Sequence, residues 1–370
     1  MLKFSKYFVG ILFIISGLIK LNDPTGFSIK LEEYFVIFGL TFLNPLVLTL
    51  SVLICALEVI LGIALLFSLR NKLNAWLLLL LIVFFTLLTG YSAISGKVTD
   101  CGCFGDAIKL TPWQSFLKDV VLLFFILIIF KNKEKNNSNY SDQKQWVMLS
   151  ATAIASIAFG LYCLFYLPIV DFLPYKVGNN IPALMKVPEG AIKDSFSTVM
   201  LYEKDGVQKE FDLKNYPWQD STWKWIKTEN KLIREGVKPK IKDLRIADAD
   251  GNDYSGDFIN YSEAQLWVIN NDLAAANPSA LTSISEIAVQ LEKDFNIRTI
   301  GLTASSDIVT EGIRHELNLM YPYYYCDATT LKTMVRANPG VLLIKNGVVV
   351  NKWAFRALPT AKLIANELSK

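Results

Sequence analysis

The sequence predicts a membrane-embedded α-helical bundle followed by an α/β domain. Three observations carry this. Hydrophobic residues make up 52% of the chain and crowd ahead of Leu167. There they form long runs almost free of charge, and ~20 helical residues suffice to cross a hydrocarbon core of ~30 Å. After Leu167 the pattern becomes short strand-like and helix-like segments punctuated by Gly, Asn and Asp. The net charge of +3 is spread along the chain with no basic stripe interleaved with aromatics, so nucleic acid is not an expected partner.

Five spans are expected: Phe4–Lys20, Pro45–Leu69, Asn74–Ser95, Trp113–Phe130 and Trp146–Leu167. The first has no A-x-A-like cleavage site and is read as a helix, not a signal peptide. Lys3 and Lys6, then Arg70 and Lys72, then Lys131, Lys133, Lys135 and Lys144 occupy alternate ends of the spans. The excess of Lys and Arg on cytoplasmic loops therefore puts the N-terminus inside. The loop Gly96–Pro112 and everything after Leu167 then lie outside, which for a bacterial inner membrane is the periplasm, where disulfides persist. Between the first two spans, Ile29, Leu31, Tyr34, Phe35 and Phe38 approximate helical spacing, so Phe27–Phe42 reads as an amphipathic helix in the outer interface. Lys131–Gln145 reads as a polar cytoplasmic linker.

Beyond the spans, Asp171–Glu189 carries three prolines and is expected to be an extended connector. Phe196–Asp212 reads as a hairpin turning at Asp205-Gly206. Trp218, Trp223 and Trp225 mark a compact aromatic segment, and from Ile241 a strand runs to a turn at Asp250-Gly251-Asn252. Then come a strand at Gln265–Asn270, a helix at Pro278–Phe295 and a strand at Arg298–Thr303. Helices at Asp307–Leu319 and Thr329–Ala337 lead to strands Gly340–Ile344 and Val348–Trp353 around Asn346-Gly347, and Thr360–Leu368 closes the chain as a helix. That alternation implies a small central sheet flanked by helices.

The chemistry concentrates in Cys101-Gly102-Cys103-Phe104-Gly105-Asp106. Two thiols one residue apart, with a glycine that lets the backbone bend, suit a strained and easily reduced disulfide. A structural pair and half of a metal site are the alternatives. Zinc needs four Cys, His or carboxylate ligands, and the single histidine, His315, lies in the α/β part, so no metal is expected. Glu58 falls within an apolar span, where a bare charge costs at least ~2.5 kcal/mol. It either takes up a proton or contacts a ligand such as a quinone, or it fixes helix packing. No cofactor motif is evident, and a quinone is the carrier this carboxylate would meet. Lys20, at the end of its helix, either snorkels to the headgroups or pairs with Glu58. Cys55 and Cys163 read as packing residues, and Cys326 as a buried thiol or a partner of the Cys101–Cys103 loop. His315 reads as a surface or capping residue, which leaves no histidine for a nucleophile triad.

Two resemblances add to this reading. Ser16-Gly17-Leu18-Ile19-Lys20-Leu21-Asn22-Asp23-Pro24, with Gly26-Phe27, Tyr34, Glu58, Gly62 and the CGCFGD run, resembles the DoxX family, and its CxC pair resembles the MauE branch. The resemblance implies a four-helix membrane bundle associated with redox or disulfide processes. Asn338-Pro339-Gly340-Val341-Leu342-Leu343-Ile344 followed by Asn346-Gly347 resembles the thioredoxin-fold segment in which a cis-proline, here Pro339, starts a hairpin. The CxxC expected after the first core strand is replaced by Asn270-Asn271-Asp272-Leu273-Ala274-Ala275-Ala276-Asn277. This resemblance therefore implies a groove, around Asn271, Asp272 and Asn277, that binds without exchanging electrons. The combination resembles the DoxX proteins with a periplasmic thioredoxin-like tail of the Bacteroidota.

The expected organisation is a DoxX/MauE-like four-helix domain (1–130), a cytoplasmic linker (131–145) and a fifth transmembrane helix (146–167). A periplasmic connector with a β-rich segment (168–237) and a thioredoxin-like domain lacking CxxC (238–370) complete it. The expected function is thiol–disulfide or electron transfer through Cys101 and Cys103, with the tail recognising a periplasmic protein partner. The alternative is a non-enzymatic assembly or scaffold factor. The sequence leaves the client and the oligomeric state open.

Overall fold

The computed structural model describes residues 1–98, 102–134, 138–192, 195–234, 236–242 and 244–369. They form two units, residues 1–178 with 245–370, and residues 179–244.

The first unit begins with α1 (Leu2–Asn22), α2 (Pro24–Ile37), a 3-10 turn (Thr41–Leu46), α3 (Val47–Leu66), α4 (Asn71–Ser95), α5 (Pro112–Lys131) and α6 (Asp142–Phe165). Five of these helices are long and apolar enough to cross a bilayer, α3 together with its preceding turn. Glycines set how closely α1 and α3 approach. A Cβ on Gly17 would stand 2.8 Å from the Cys55 carbonyl oxygen, and one on Gly62 would stand 2.7 Å from that of Gly10. Small residues let membrane helices pack backbone to backbone in this way.

The α2 helix departs from the expected interfacial one. It begins at Pro24, where Asp23 caps it by accepting from the Gly26 amide at 2.9 Å. Its buried face is Phe27, Leu31 and Tyr34, with Phe38 exposed. Phe27 and Leu31 pack with Val52, Ala56 and Val59 of α3, so α2 is part of the bundle.

The rest of this unit is a five-stranded mixed sheet. Its elements are α8 (Ser255–Ile259), β4 (Ala264–Asn270), α9 (Pro278–Phe295), β5 (Arg298–Thr303), α10 (Asp307–Glu316), β6 (Tyr323–Tyr325), α11 (Ala328–Met334), β7 (Gly340–Lys345), β8 (Val348–Ala354) and α12 (Ala361–Asn366). The strand order is β6-β5-β4-β7-β8, with β4, β5 and β6 parallel and β7 and β8 antiparallel. Every residue of β4 is buried, as befits a central strand covered on both faces. Leu266 and Val268 pack with Leu281, Ile284 and Leu291 of α9. The Asn338–Pro339 peptide is cis. The sequence reading missed β6, and the strand expected from Ile241 reduces to isolated bridges from Ala247 to Asp253 and Tyr325.

The second unit holds the short helix α7 (Ile181–Leu184) and a three-stranded antiparallel sheet ordered β2-β1-β3, from β1 (Ser195–Lys204), β2 (Val207–Asp212) and β3 (Lys224–Arg234). Asp205 and Gly206 both have positive φ, at 52° and 76°, as a two-residue hairpin turn requires. The segment expected to be merely aromatic and compact supplies β3, and the expected extended connector contains α7.

Candidate functional site

One group of buried polar residues in the bundle gathers around Glu58. Ser16 and Lys20, four apart on α1, share a face, and the close α1–α3 approach sets that face against Glu58 of α3. Lys20 and Glu58 form an ion pair, with 3% and 4% of each residue exposed. Of the two placements expected for Lys20, the pairing with Glu58 is the one found and the outward turn to the headgroups is not. Its ammonium instead lies 4.9 Å from the Phe27 ring centre and 5.5 Å from that of Phe85. Aromatic faces recover part of what the cation loses on leaving water.

The cysteine loop rests on this pair. Ser16 Oγ is 3.0 Å from both Glu58 Oε2 and the backbone carbonyl of Cys103, so its single proton serves one of these two acceptors at a time. The turn is tight: Gly102 and Gly105 have φ of 66° and 53°, and the Gly105 amide donates to the Gly102 carbonyl at 3.0 Å. Thr111 then starts α5 with a reciprocal capping box to Gln114. Cys101 lies outside the described residues, so the pairing of Cys101 with Cys103 is not part of this geometry.

A second pair, half-buried on its lysine side, flanks the first. Asp119 of α5, 1% exposed, pairs with Lys118 and accepts from Thr89 Oγ1 at 3.0 Å, while Lys118 Nζ lies 5.7 Å from the centre of the Phe104 ring. Tyr34 and Ser92 hydroxyls meet at 3.0 Å nearby. A pocket of about 40 Å3 is lined by Lys20, Glu58, Lys118, Asp119, Tyr34 and Cys103. At ~10–15 Å3 of such space per water, it has room for about three waters. The sequence reading missed Asp119 and Lys118. The criterion applied to Glu58, a carboxylate inside an apolar run, would have found Asp119.

The bundle also meets the sheet domain. Arg336, between α11 and β7, places Nε 3.0 Å from both carboxylate oxygens of Asp23, and its Nη2 donates to Asp106 Oδ2 at 3.0 Å. Asn22 exchanges hydrogen bonds of 2.7 and 3.0 Å with Val170, and Lys352 pairs with Asp171. The expected groove residues have mainly structural contacts. Asn277 caps α9 by accepting from the Ala280 amide at 3.1 Å, and Asp272 accepts from Ala274 and Ala275 amides. The Asp272 carbonyl accepts from Asn338 Nδ2 at 2.6 Å, joining the loop after β4 to the loop that carries Pro339. Asn271 and Asn277 do line a cavity of about 560 Å3, shared with Leu48, Phe165, Asn338 and Arg356.

The remaining candidates are placed simply. Cys55 and Cys163 are buried within the bundle. Cys326 is buried in the sheet domain, and burial pushes its thiol up to about 12. His315 is exposed, 3.6 Å from Glu311. No group of three or more potential metal ligands occurs among the described residues.

Residues 1–131 match the family described as methylamine utilisation protein MauE. The match takes in α1 to α5 and stops before α6. Residues 196–235, which span the three-stranded sheet, match a domain of unknown function. Protein TlpB of Flavobacterium psychrophilum is 32% identical over 139 residues, 36% of this chain. That match spans 38% of the length of Protein TlpB. Five helices long and apolar enough to cross a bilayer, together with the similarity over residues 1–131, make the chain a membrane protein.

Proposed function

We propose that this membrane protein takes part in thiol–disulfide electron transfer through Cys101 and Cys103. The carrying observation is the seating of the Cys103 turn on Ser16, directly over the buried Lys20–Glu58 pair. Oxidising two thiols to a disulfide releases two electrons and two protons. The two electrons and two protons end together on the acceptor, a partner disulfide that becomes two thiols or a quinone-type carrier that becomes a quinol, and Glu58 and Asp119 line the pocket beside Cys103 where a proton can be relayed. The basic loops favour an arrangement with the N-terminus cytoplasmic and the cysteine turn and sheet domain in the periplasm.

The sheet domain is read here as thioredoxin-like. The β5-β4-β7-β8 order supports this, with two parallel strands joined through α9 and an antiparallel hairpin leading to α12. The loop after β4 carries no thiol, and Cys326 is buried, so this domain serves recognition rather than exchange. Those two facts also favour a second reading, a scaffold that binds a periplasmic client without electron transfer.

Serine replacement separates the two. Cys101→Ser and Cys103→Ser each keep the shape of the thiol but cannot form a disulfide. Under the redox reading each abolishes function at wild-type abundance, while thiol alkylation and mass spectrometry of native membranes finds the wild-type pair cycling with reductant. A double serine variant that functions normally at wild-type abundance removes the redox reading and leaves the scaffold.

A further inference from the structure

We propose that Arg336 is a positioning residue, a latch by which the sheet domain holds the Cys103 turn closed over the polar pocket. The proposal rests on the redox reading for its purpose, but not for its geometry.

Arg336 is joined to two carboxylates from distant parts of the chain. Its side chain is 4% exposed, those of Asp23 and Asp106 12% and 29%. Nε and Nη2 grip Asp23, Nη2 also reaches Asp106, and Nη1 donates to the Lys332 carbonyl at 2.6 Å. A planar fork suits this task, because it can engage two carboxylates at once where an ammonium acts as a point charge. Removing it takes from Asp23 its paired cation and leaves Asp106 with the exposed Lys109 at 3.8 Å.

Each carboxylate is tied to something functional. Asp23 caps α2, whose Lys30 stem packs on Gly102: a Cβ there would stand 2.9 Å from Lys30 Cγ. Asp106 ends the turn that carries Cys103, three residues away. Arg336 itself lies three residues before Pro339, and it lines the 560 Å3 cavity with Asn271 and Asn338. A protein partner that displaces residues 335–339 pulls the guanidinium from Asp106. The turn keeps its local ties, among them the hydrogen bond from Ser16, the Lys118–Phe104 contact and the Lys109–Asp106 pair, but loses the cation that joins it to the sheet domain. Docking on the sheet domain is thereby coupled to exposure of the Cys103 thiol.

The test uses the full chain in nanodiscs carrying Cys101→Ser, so that Cys103 is the one loop thiol and stays reduced. The rate at which a membrane-impermeant maleimide labels Cys103 is read by peptide mass spectrometry. Arg336→Ala and Asp106→Asn should each speed labelling by about tenfold or more, the population change that a loss of about 1.4 kcal/mol produces. The double variant should be no faster than the faster single one, because both act on one contact. Buried Cys326 is the internal gauge of folding. If Arg336→Ala also exposes Cys326, Asp106→Asn alone decides. An unchanged Cys103 rate in Asp106→Asn with Cys326 protected overturns the latch, as do single effects that multiply. Functional serine variants would instead remove the redox reading and leave these rates standing.

Discussion

Removing one member of the Lys20–Glu58 pair should destabilise the bundle far more than removing both. At an effective dielectric of ~20, opposite charges ~4 Å apart attract by about 4 kcal/mol. Leaving one buried charge without its partner costs about 3–5 kcal/mol, whereas apolar residues of similar volume in place of both are often neutral or stabilising. Here Glu58→Leu strands an ammonium between the Phe27 and Phe85 rings, and Lys20→Met strands a carboxylate whose remaining side-chain partner among the described residues is Ser16. At ~2–4 °C per kcal/mol, each single variant should melt about 6–20 °C below wild type. Lys20→Met with Glu58→Leu should return to within about 1 kcal/mol of wild type. A fluorogenic maleimide reporting exposure of buried Cys55 and Cys163 during thermal ramps in nanodiscs measures this. Single variants that melt with the wild type would refute the buried pair. The double variant then answers a second question. If it is stable but inactive, the pair belongs to the chemistry; if it is stable and active, the pair only fixes packing. Inactivity is expected, because the polar pocket would lose one of its two carboxylates.

Topology and alkaline behaviour supply two further tests. Cysteines introduced at Asn139 and Asp250 should react with an impermeant thiol reagent from opposite sides of the membrane, and labelling of both from one side would contradict the five-span arrangement. The Cys326 thiol is raised from 9.0 to about 12 by burial, so it stays protonated in the fold while the unfolded chain ionises. Its contribution to stability is therefore lost as pH rises from about 9 towards 12, by up to about 1.4 kcal/mol per unit. Relative to wild type, Cys326→Ser should lose less melting temperature between about pH 8 and about pH 10, and identical losses would show that this thiol is not buried as described.

How much of this was legible in the sequence divides along a physical line. Run length and composition are local, so all five spans were readable, as were α9, β5 and the hairpin β7–β8. What failed depended on partners distant in sequence. The apolar residues of Phe27–Phe38 spread over more than one face of the helix, and the packing on α3 decides that the face of Phe27 and Leu31 is the buried one. The strand β3 is rich in charge and shows itself through pairing with β1, while β6 has only three residues. Arg336 had no local signal at all, since its carboxylates lie 313 and 230 residues away.

The Lys20–Glu58 pair is a different case, because the sequence contained the means to find it. Each charge alone had a plausible resting place, Lys20 at a helix end and Glu58 in packing. Two charges of opposite sign in neighbouring spans each cost at least ~2.5 kcal/mol when buried alone, and pairing relieves both costs together. Gly10 and Gly17 lie seven residues apart, close to two helical turns, and so share one face of α1; Gly62 lies four residues from Glu58 on α3. Glycines so placed are the sequence mark of a close helix–helix contact, and a close α1–α3 contact brings the face carrying Lys20 against Glu58. The glycine pattern therefore favours pairing over snorkelling. The cysteine turn would then have been expected above a buried ion pair rather than on a bare membrane surface.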